Sequence, residues 1–382
     1  MDISKAQQAL KDSGIPGWAL YSFLGSNPLA VELLGLTNIH LSRRFLYLIP
    51  VEGEPTLVVH AIEQSTFPDL PGKRRVFSSW ESFVHTLEEV VLPLGKVAME
   101  YQPGGSIPYL SRVDAGTLEL LRGMGLEVVS SANLLLSFQV WDQAALAAHL
   151  KAVRGVEAAK DAALAFLRSR LKNPPSELEV QAVMASALDQ HGLFSDHPPM
   201  VGFGSHAANP HHRPDSTHLQ RGQVVLLDVW AKRPDGPFAD ITWMAGWEVP
   251  AEVHQAFEVV KRARDHAVKY VTQAYREGRH PKGSEVDRAS RKVIEDAGYG
   301  KYLLHRTGHN LGWSSPHGNG THLDGLEAPD ERPLIPGLAF TVEPGIYPGP
   351  FGVRSEINVY LRPSGPEITT SIQEQLDELE FA

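Results

Sequence analysis

Two pairs of acidic residues sit where charge is costly. Asp228 lies inside Val224-Val225-Leu226-Leu227-Asp228-Val229, an apolar run that reads as a buried strand. A carboxylate there is expensive unless it is paired or bound to a cation. Asp240 follows twelve positions later, after the turn-rich stretch KRPDGPFA, so two strands joined by a turn bring the aspartates together. Glu343 in FTVEPG and Glu356 in VRSEIN repeat the pattern at thirteen positions, around YPGPFG. Between the pairs lies His305-Arg306-Thr307-Gly308-His309-Asn310-Leu311-Gly312, followed by His317. Glycines 308 and 312 permit close backbone approach to a bound group. The HExxH pattern of zinc peptidases is absent, because Arg306 stands at the Glu position. Asp228, Asp240, His309, Glu343 and Glu356 together supply four carboxylates and one imidazole. Four negative charges balance two divalent cations, and two of the carboxylates can bridge them. Water held between two metals about 3.5–4 Å apart becomes a hydroxide nucleophile near neutral pH, while the metals polarise a carbonyl. Oxygen-rich ligation with one nitrogen suits Mn²⁺, Co²⁺, Fe²⁺ or Zn²⁺.

The elements that must position these residues are legible in outline. RRFLYLIP and PTLVVHAIE read as paired strands, with Leu92–Glu100 and Leu126–Ser130 as further strands and Val113–Met124 as a helix. An alanine-rich helix begins at Gln143 and ends at Asn173-Pro174-Pro175. Ser176 with Glu179 three positions on marks the start of the next. Helices follow over 251–277 and 284–297, the second capped by Ser284 and ended by Gly298. QVVLLDVWA, ADITWMAGWEV, LAFTVEPGIY and GVRSEINVYL read as strands. The composition shift near 140–146 divides the chain into 1–142, a small α/β domain, and 143–382.

Composition narrows the function. The chain has 382 residues, no cysteine, and 45 Asp and Glu against 35 Lys and Arg. Thiol nucleophiles, cysteine zinc sites and iron–sulfur clusters are therefore excluded. The net charge of −10 argues against nucleic acid and anionic membranes as partners. The N-terminal MDISKAQQALKDSG has no signal-peptide apolar core, and no run reaches the ~18–20 apolar residues of a membrane helix, so a cytoplasmic location is expected. Ten of the 17 histidines fall in 191–218 and 305–322, where function is to be sought.

Asn209-Pro210-His211-His212, the two aspartate strands, HRTGHNLG, FTVEPGIY and VRSEINV occur here in the order of the pita-bread metallopeptidases. Over about 145–365 the chain resembles that family, especially its Xaa-Pro dipeptidases (prolidases) and Xaa-Pro aminopeptidases. The resemblance implies an α+β chain with a C-terminal creatinase/aminopeptidase-like catalytic domain and a smaller N-terminal α/β domain. Two divalent ions are implied, Mn²⁺ foremost. Asp228 would hold one metal through both oxygens, Asp240 and Glu356 would bridge, and His309 and Glu343 would complete the second site. Glu343 would also take a proton from the nucleophilic water. His211 and His317 would flank the scissile peptide, His305 would line the proline side, and Arg354 would support the ligands or contact a substrate carboxylate. A homodimer is implied as well.

Several positions depart from the family pattern. His309 and His317 lie eight positions apart where seven is usual, which makes His322 a substitute if His317 is displaced. Gly318 replaces a common acid, Trp243 an arginine, His212 a tyrosine and Asn358 an aspartate. The leading expectation is hydrolysis of Xaa-Pro dipeptides, with an Xaa-Pro aminopeptidase as the alternative. A catalytically inactive binding scaffold is weighed against both. Methionine aminopeptidase and creatinase fit less well.

Overall fold

The structure, a computed structural model, describes residues 1–380. The chain divides into a unit over Met1–Phe138 and a second unit beginning at Gln139. Trp141, on the N-terminal side of the expected division, packs on His149 and Tyr360 of the second unit.

The first unit is built on one sheet of order β4-β3-β2-β1-β5-β6. Its strands are β1 (Gly17–Phe23), β2 (Arg44–Pro50), β3 (Thr56–His60), β4 (Lys73–Phe77), β5 (Lys96–Met99) and β6 (Glu127–Ser130). Its helices are α1 (Ile3–Ser13), α2 (Pro28–Leu33), α3 (Trp80–Val90), α4 (Ala115–Gly123) and α5 (Ala132–Gln139). β2 and β3 pair antiparallel, as their sequences predict. The strand expected from Leu92 starts only at Lys96. Pro93 sets a short 3-10 turn over Leu92–Leu94, and Gly95 leaves it at φ 65°. The sequence gives no hint of Glu100, fully buried and accepting from Trp18 Nε1, Asn27 Nδ2 and Ser131 Oγ.

In the second unit, α6 (Gln143–Ser169) and α7 (Glu177–Gln190) lead to β7 (Met200–Phe203), β8 (Val224–Lys232) and β9 (Phe238–Gly246). Then come α8 (Ala251–Arg276), α9 (Gly283–Asp296), β10 (Ala339–Val342), β11 (Gly345–Ile346), β12 (Val353–Arg354), β13 (Ile357–Arg362), β14 (Gly365–Ile368) and β15 (Asp377–Glu378). Three sheets result, ordered β15-β9-β8-β7, β10-β13-β14 and β11-β12.

Strand periodicity explains how the main sheet is covered. Val225, Leu227, Val229 and Ala231 point one way, with Ala239, Ile241 and Ala245 of β9, into a core shared with α6 and α7. Val224, Leu226 and Met244 point the other way, into a core with α8. A strand buried on both faces reads as a continuous apolar run. Asp228 and Asp240 interrupt the second face, one on each strand.

The helix starts follow the sequence with one exception. Ser176 and Glu179 form the expected capping box. Ser284, expected to cap α9, lies within the first turn, and its hydroxyl donates to Glu331. Glu285 instead accepts from the Lys282 N–H. Among the described residues, no helix is long and apolar enough to cross a membrane.

Candidate functional site

β8 and β9 pair with Asp228 opposite Thr242 and Trp230 opposite Asp240. The aspartates thus share one face but lie two register positions apart, on a diagonal. The glutamates arrive by a different device. Each expected glutamate strand is broken in two. The ladder β10–β13 ends at Val342 opposite Ile357, and β11–β12 resumes at Gly345 opposite Arg354. Glu343 and Glu356 occupy the gap, where the chain is free of the ladder.

The four acids and His309 line one cavity of about 550 Å³. Oxygens of Asp240 and Glu356 and a nitrogen of His309 lie within 4.8 Å of one another. His309 Nε2 stands 3.5 Å from Asp240 Oδ2 and 3.6 Å from Glu343 Oε1, too far for good hydrogen bonds. Arg354 donates to Asp228 Oδ2 and to Thr242 Oγ1, and Thr242 donates to Glu356. Its guanidinium is therefore engaged with Asp228 and, through Thr242, with Glu356. One buried arginine does not balance four acids. Burial, then Asp228 and Glu343, hold Asp240 well above the usual carboxylate range. Glu356 is raised likewise, by burial and then by Asp240 and Glu343. Oxygen-rich donors that repel one another and face a 2 % exposed imidazole fit divalent cations.

The histidines separate into distinct environments. His317 lines the cavity with its ring 4.0 Å from that of His309, so the longer spacing does not remove it. His309, partial burial and Arg306 push its pKa down. Arg306 Nη2 lies 3.3 Å from its Nδ1, which leaves the proton of the neutral ring on Nε2. His322 is buried, accepts from Asn310 N–H and does not line the cavity, so it is no substitute for His317. His305 is pushed down to about 4, chiefly by burial. Its Nδ1 donates to Arg306 O, and its Nε2 accepts from Tyr347 Oη at 2.6 Å. His211 is exposed on the cavity wall.

Single buried polar groups hold the loops that carry these rings. The Asp287 carboxylate accepts from Thr307 N–H and Gly325 N–H, tying together the two ends of the His309–His317 loop. Asn310 accepts from Gly320 N–H and donates to Ala339 O. Glu177, fully buried, accepts from the N–H groups of Phe203 and Asp215, and its oxygens lie 2.9 Å from His206 Nδ1 and 2.7 Å from His212 Nε2. This Glu177–His206–His212 cluster has metal-ligand chemistry, but hydrogen bonds satisfy its carboxylate. Its effect is to brace the loop bearing His211. The sequence masked Glu177 behind the capping role of its neighbour Ser176.

The departures now have physical reasons. Asn358 accepts from Asp240 N–H and donates to Asp240 O, and an ionised aspartate cannot make the second bond. His212 is claimed by Glu177. A Cβ on Gly318 would lie 2.2 Å from Asn310 Oδ1, so no acid fits there. Trp243, expected near the site, points to the opposite sheet face, where its Nε1 donates to Asp377 and Lys160 lies over its ring. Sequence reasoning missed the cavity residues Asp196, His197, Trp230, Arg306 and Glu327, whose types carry no ligand spacing.

A model of metallopeptidase family M24 matches residues 147–363. The probable dipeptidase PepE of Mycobacterium bovis is 27% identical over 380 residues, covering 95% of this chain and 92% of that protein. The crystal structure of dipeptidase PepE from Mycobacterium ulcerans is similar with a TM-score of 0.73 and 25% identity, covering 99% of this chain and 96% of that one. A prolidase from Thermococcus sibiricus shares the fold, with a TM-score of 0.65 and 24% identity over 99% of this chain and all of its own.

Two outcomes are expected. A Cβ at Gly308 would meet Thr341 O at 2.0 Å, and that residue's N–H bonds His309 O. Gly308→Ala should cost about 1–3 kcal/mol in denaturant unfolding and weaken cation binding in calorimetry of chelator-treated protein. The second concerns pH. Raised carboxyls favour the fold while protonated, and that stability is lost as pH rises. His305 and His309, depressed to about 4, act oppositely, but only below about pH 6.5. From the ordinary carboxylate range upward the two raised acids should therefore lower the stability of chelator-treated protein as pH rises, and the Mn²⁺-induced gain in Tm should grow. A gain independent of pH would show that the acids are not coupled to the cation.

Proposed function

The chain belongs to metallopeptidase family M24, and from that premise we propose that it hydrolyses the Xaa-Pro bond of dipeptides, using two divalent cations. It is a metallopeptidase of the pita-bread fold. The observation that carries the narrower reading is the convergence of Asp228, Asp240, His309, Glu343 and Glu356 on one cavity. Those residues would hold the cations, with Asp240 and Glu356 shared between them. Mn²⁺ first, then Co²⁺, Zn²⁺ or Fe²⁺, would supply Lewis acidity towards the scissile carbonyl and a nucleophilic water at neutral pH.

The chain's own residues do the rest. Glu343 faces the cavity with one oxygen near Thr341 Oγ1, at 3.3 Å, and takes a proton from the attacking water. The prolyl nitrogen carries no hydrogen and leaves only after gaining one. Glu343 returns the proton to it. Neutral His317 presents Nε2–H to the same region, and His211 donates to the carbonyl oxygen that gains negative charge as its carbon becomes tetrahedral. His305, with both ring nitrogens engaged, forms an apolar-sided wall for the proline ring beside Tyr347. Arg306, 3.7 Å from Asp324, would contact a substrate carboxylate at that end of the cavity, one of the two parts expected of Arg354. PepE relatives named dipeptidases support the short-substrate reading. The first 142 residues would form the accessory domain, and homodimer assembly and a cytoplasmic location belong to the same proposal.

Purified protein given Mn²⁺ should cleave Ala-Pro and leave Ala-Pro-Ala largely intact. Comparable hydrolysis of both would make it an Xaa-Pro aminopeptidase instead. Asp240→Asn or Glu356→Gln should lower kcat by at least about a thousandfold. His317→Ala should lower kcat about a hundredfold with metal content retained. Full activity of these variants, or no bound metal and no activity with any of the four cations, would leave an inactive scaffold.

A further inference from the structure

The cavity has an acidic wall that the chemistry above does not use. Trp230 stands opposite Asp240 in the β8–β9 register, so its side chain rises from the same face as the acids. At the far end of that side chain, Trp230 Nε1 donates to Asp196 Oδ1 at 2.6 Å. His197 Nδ1 is 3.4 Å from the other oxygen, and its ring lies 6.3 Å from the indole. All three residues line the cavity. The Asp196 side chain is 32% exposed, and among the described residues no lysine or arginine pairs with it. Of the two arginines that line the cavity, Arg354 is held by Asp228, and Arg306, 3.7 Å from Asp324, belongs to the loop of His305 and His317. Neither pairs with Asp196.

We propose that Asp196 and Trp230 form a subsite for a cationic side chain on the residue before the scissile bond, so that Lys-Xaa and Arg-Xaa dipeptides are preferred over acidic ones. The inference rests on the peptidase reading of this cavity. Its polarity comes from the geometry. The substrate's own ammonium is attached one carbon from the scissile carbonyl and stays near the metal-ligating acids. Asp196, at the far end of the Trp230 side chain, is reached by a group several bonds further out. Lysine and arginine combine an apolar stem with a charged head. The indole face takes the stem and adds cation–π attraction, and the carboxylate takes the head. The hydrogen bond from Nε1 fixes Asp196 in place, which limits the ordering cost on binding.

The test compares kcat/KM for Arg-Pro, Glu-Pro and Ala-Pro in the Mn²⁺-loaded enzyme and in Asp196→Asn. Asparagine keeps an oxygen for Trp230 Nε1, so the wall stays intact while the charge goes. Wild type should favour Arg-Pro over Glu-Pro by about tenfold or more, chiefly through KM. Asp196→Asn should bring the two within about twofold, and Asp196→Glu should keep the order. An equal ratio in wild type, or one that survives Asp196→Asn, overturns the subsite while leaving the peptidase reading in place. Should Ala-Pro itself resist hydrolysis, the proline reading fails separately, and the same ratio is read on Arg-Ala and Glu-Ala. A protein that cleaves none of these overturns both.

Discussion

Repulsion among four neighbouring carboxylates is the constraint on which the catalytic unit turns. Two like charges 4 Å apart repel by about 4 kcal/mol at the effective dielectric typical of proteins. Asp240 is raised by burial and then by Asp228 and Glu343, and Glu356 by burial and then by Asp240 and Glu343, with Arg354 opposing in both cases. A fold that keeps such a cluster must gain its stability elsewhere, and this one does so on the other side of the same strands. The face of β8 and β9 towards α6 and α7 is Val, Leu, Ile and Ala, with Trp243 packed among them. The acids replace apolar residues on one face only.

The same constraint separates the rigid parts of the site from the irregular ones. The aspartates ride on a long, regular ladder and inherit its spacing. The glutamates sit instead in a gap at Pro344 and Ser355 where the ladder lapses, and the unchanged register on either side still sets them opposite each other. The imidazoles lie on loops with no ladder at all, and buried side chains stand in for one. Asp287 and Glu177 each collect two backbone donors from groups far apart in the chain, and Asn310 accepts from Gly320 N–H while donating to Ala339 O. A buried acceptor with several partners is costly to leave unsatisfied, so each fixes its loop more firmly than contacts at the surface could.

The ligand types were legible because a charge inside an apolar run is visible without coordinates. Asp228 within VVLLDV and Glu343 within FTVEPG announce themselves in this way. The capped start of α7 was readable for a similar reason, since Ser176 and Glu179 act within one turn. The α9 cap was not, because Ser284 finds Glu331 across the fold. Asp196 and Arg306 were also invisible. Each is an ordinary residue in an ordinary context, and only its cavity position gives it meaning. Trp243 shows the converse, since its place in the motif suggested the site and the strand pleat turned it to the other face.

What the sequence alone determined is the chemistry on offer: an oxygen-rich donor set with one imidazole, glycines where chain segments touch, and two strand pairs to carry the acids. Local rules suffice for that, because burial cost, turn formation and strand alternation act over a few residues. Only the tertiary structure decided how the donors meet. It set the diagonal register of Asp228 and Asp240, the break that frees Glu343 and Glu356, the engagement of Arg354 with Asp228, and the place of His317. Those outcomes depend on contacts between residues as much as 126 positions apart, as in the Arg354–Asp228 pair. No local pattern in the chain encodes such a contact, because it forms only when two separately folded segments pack together.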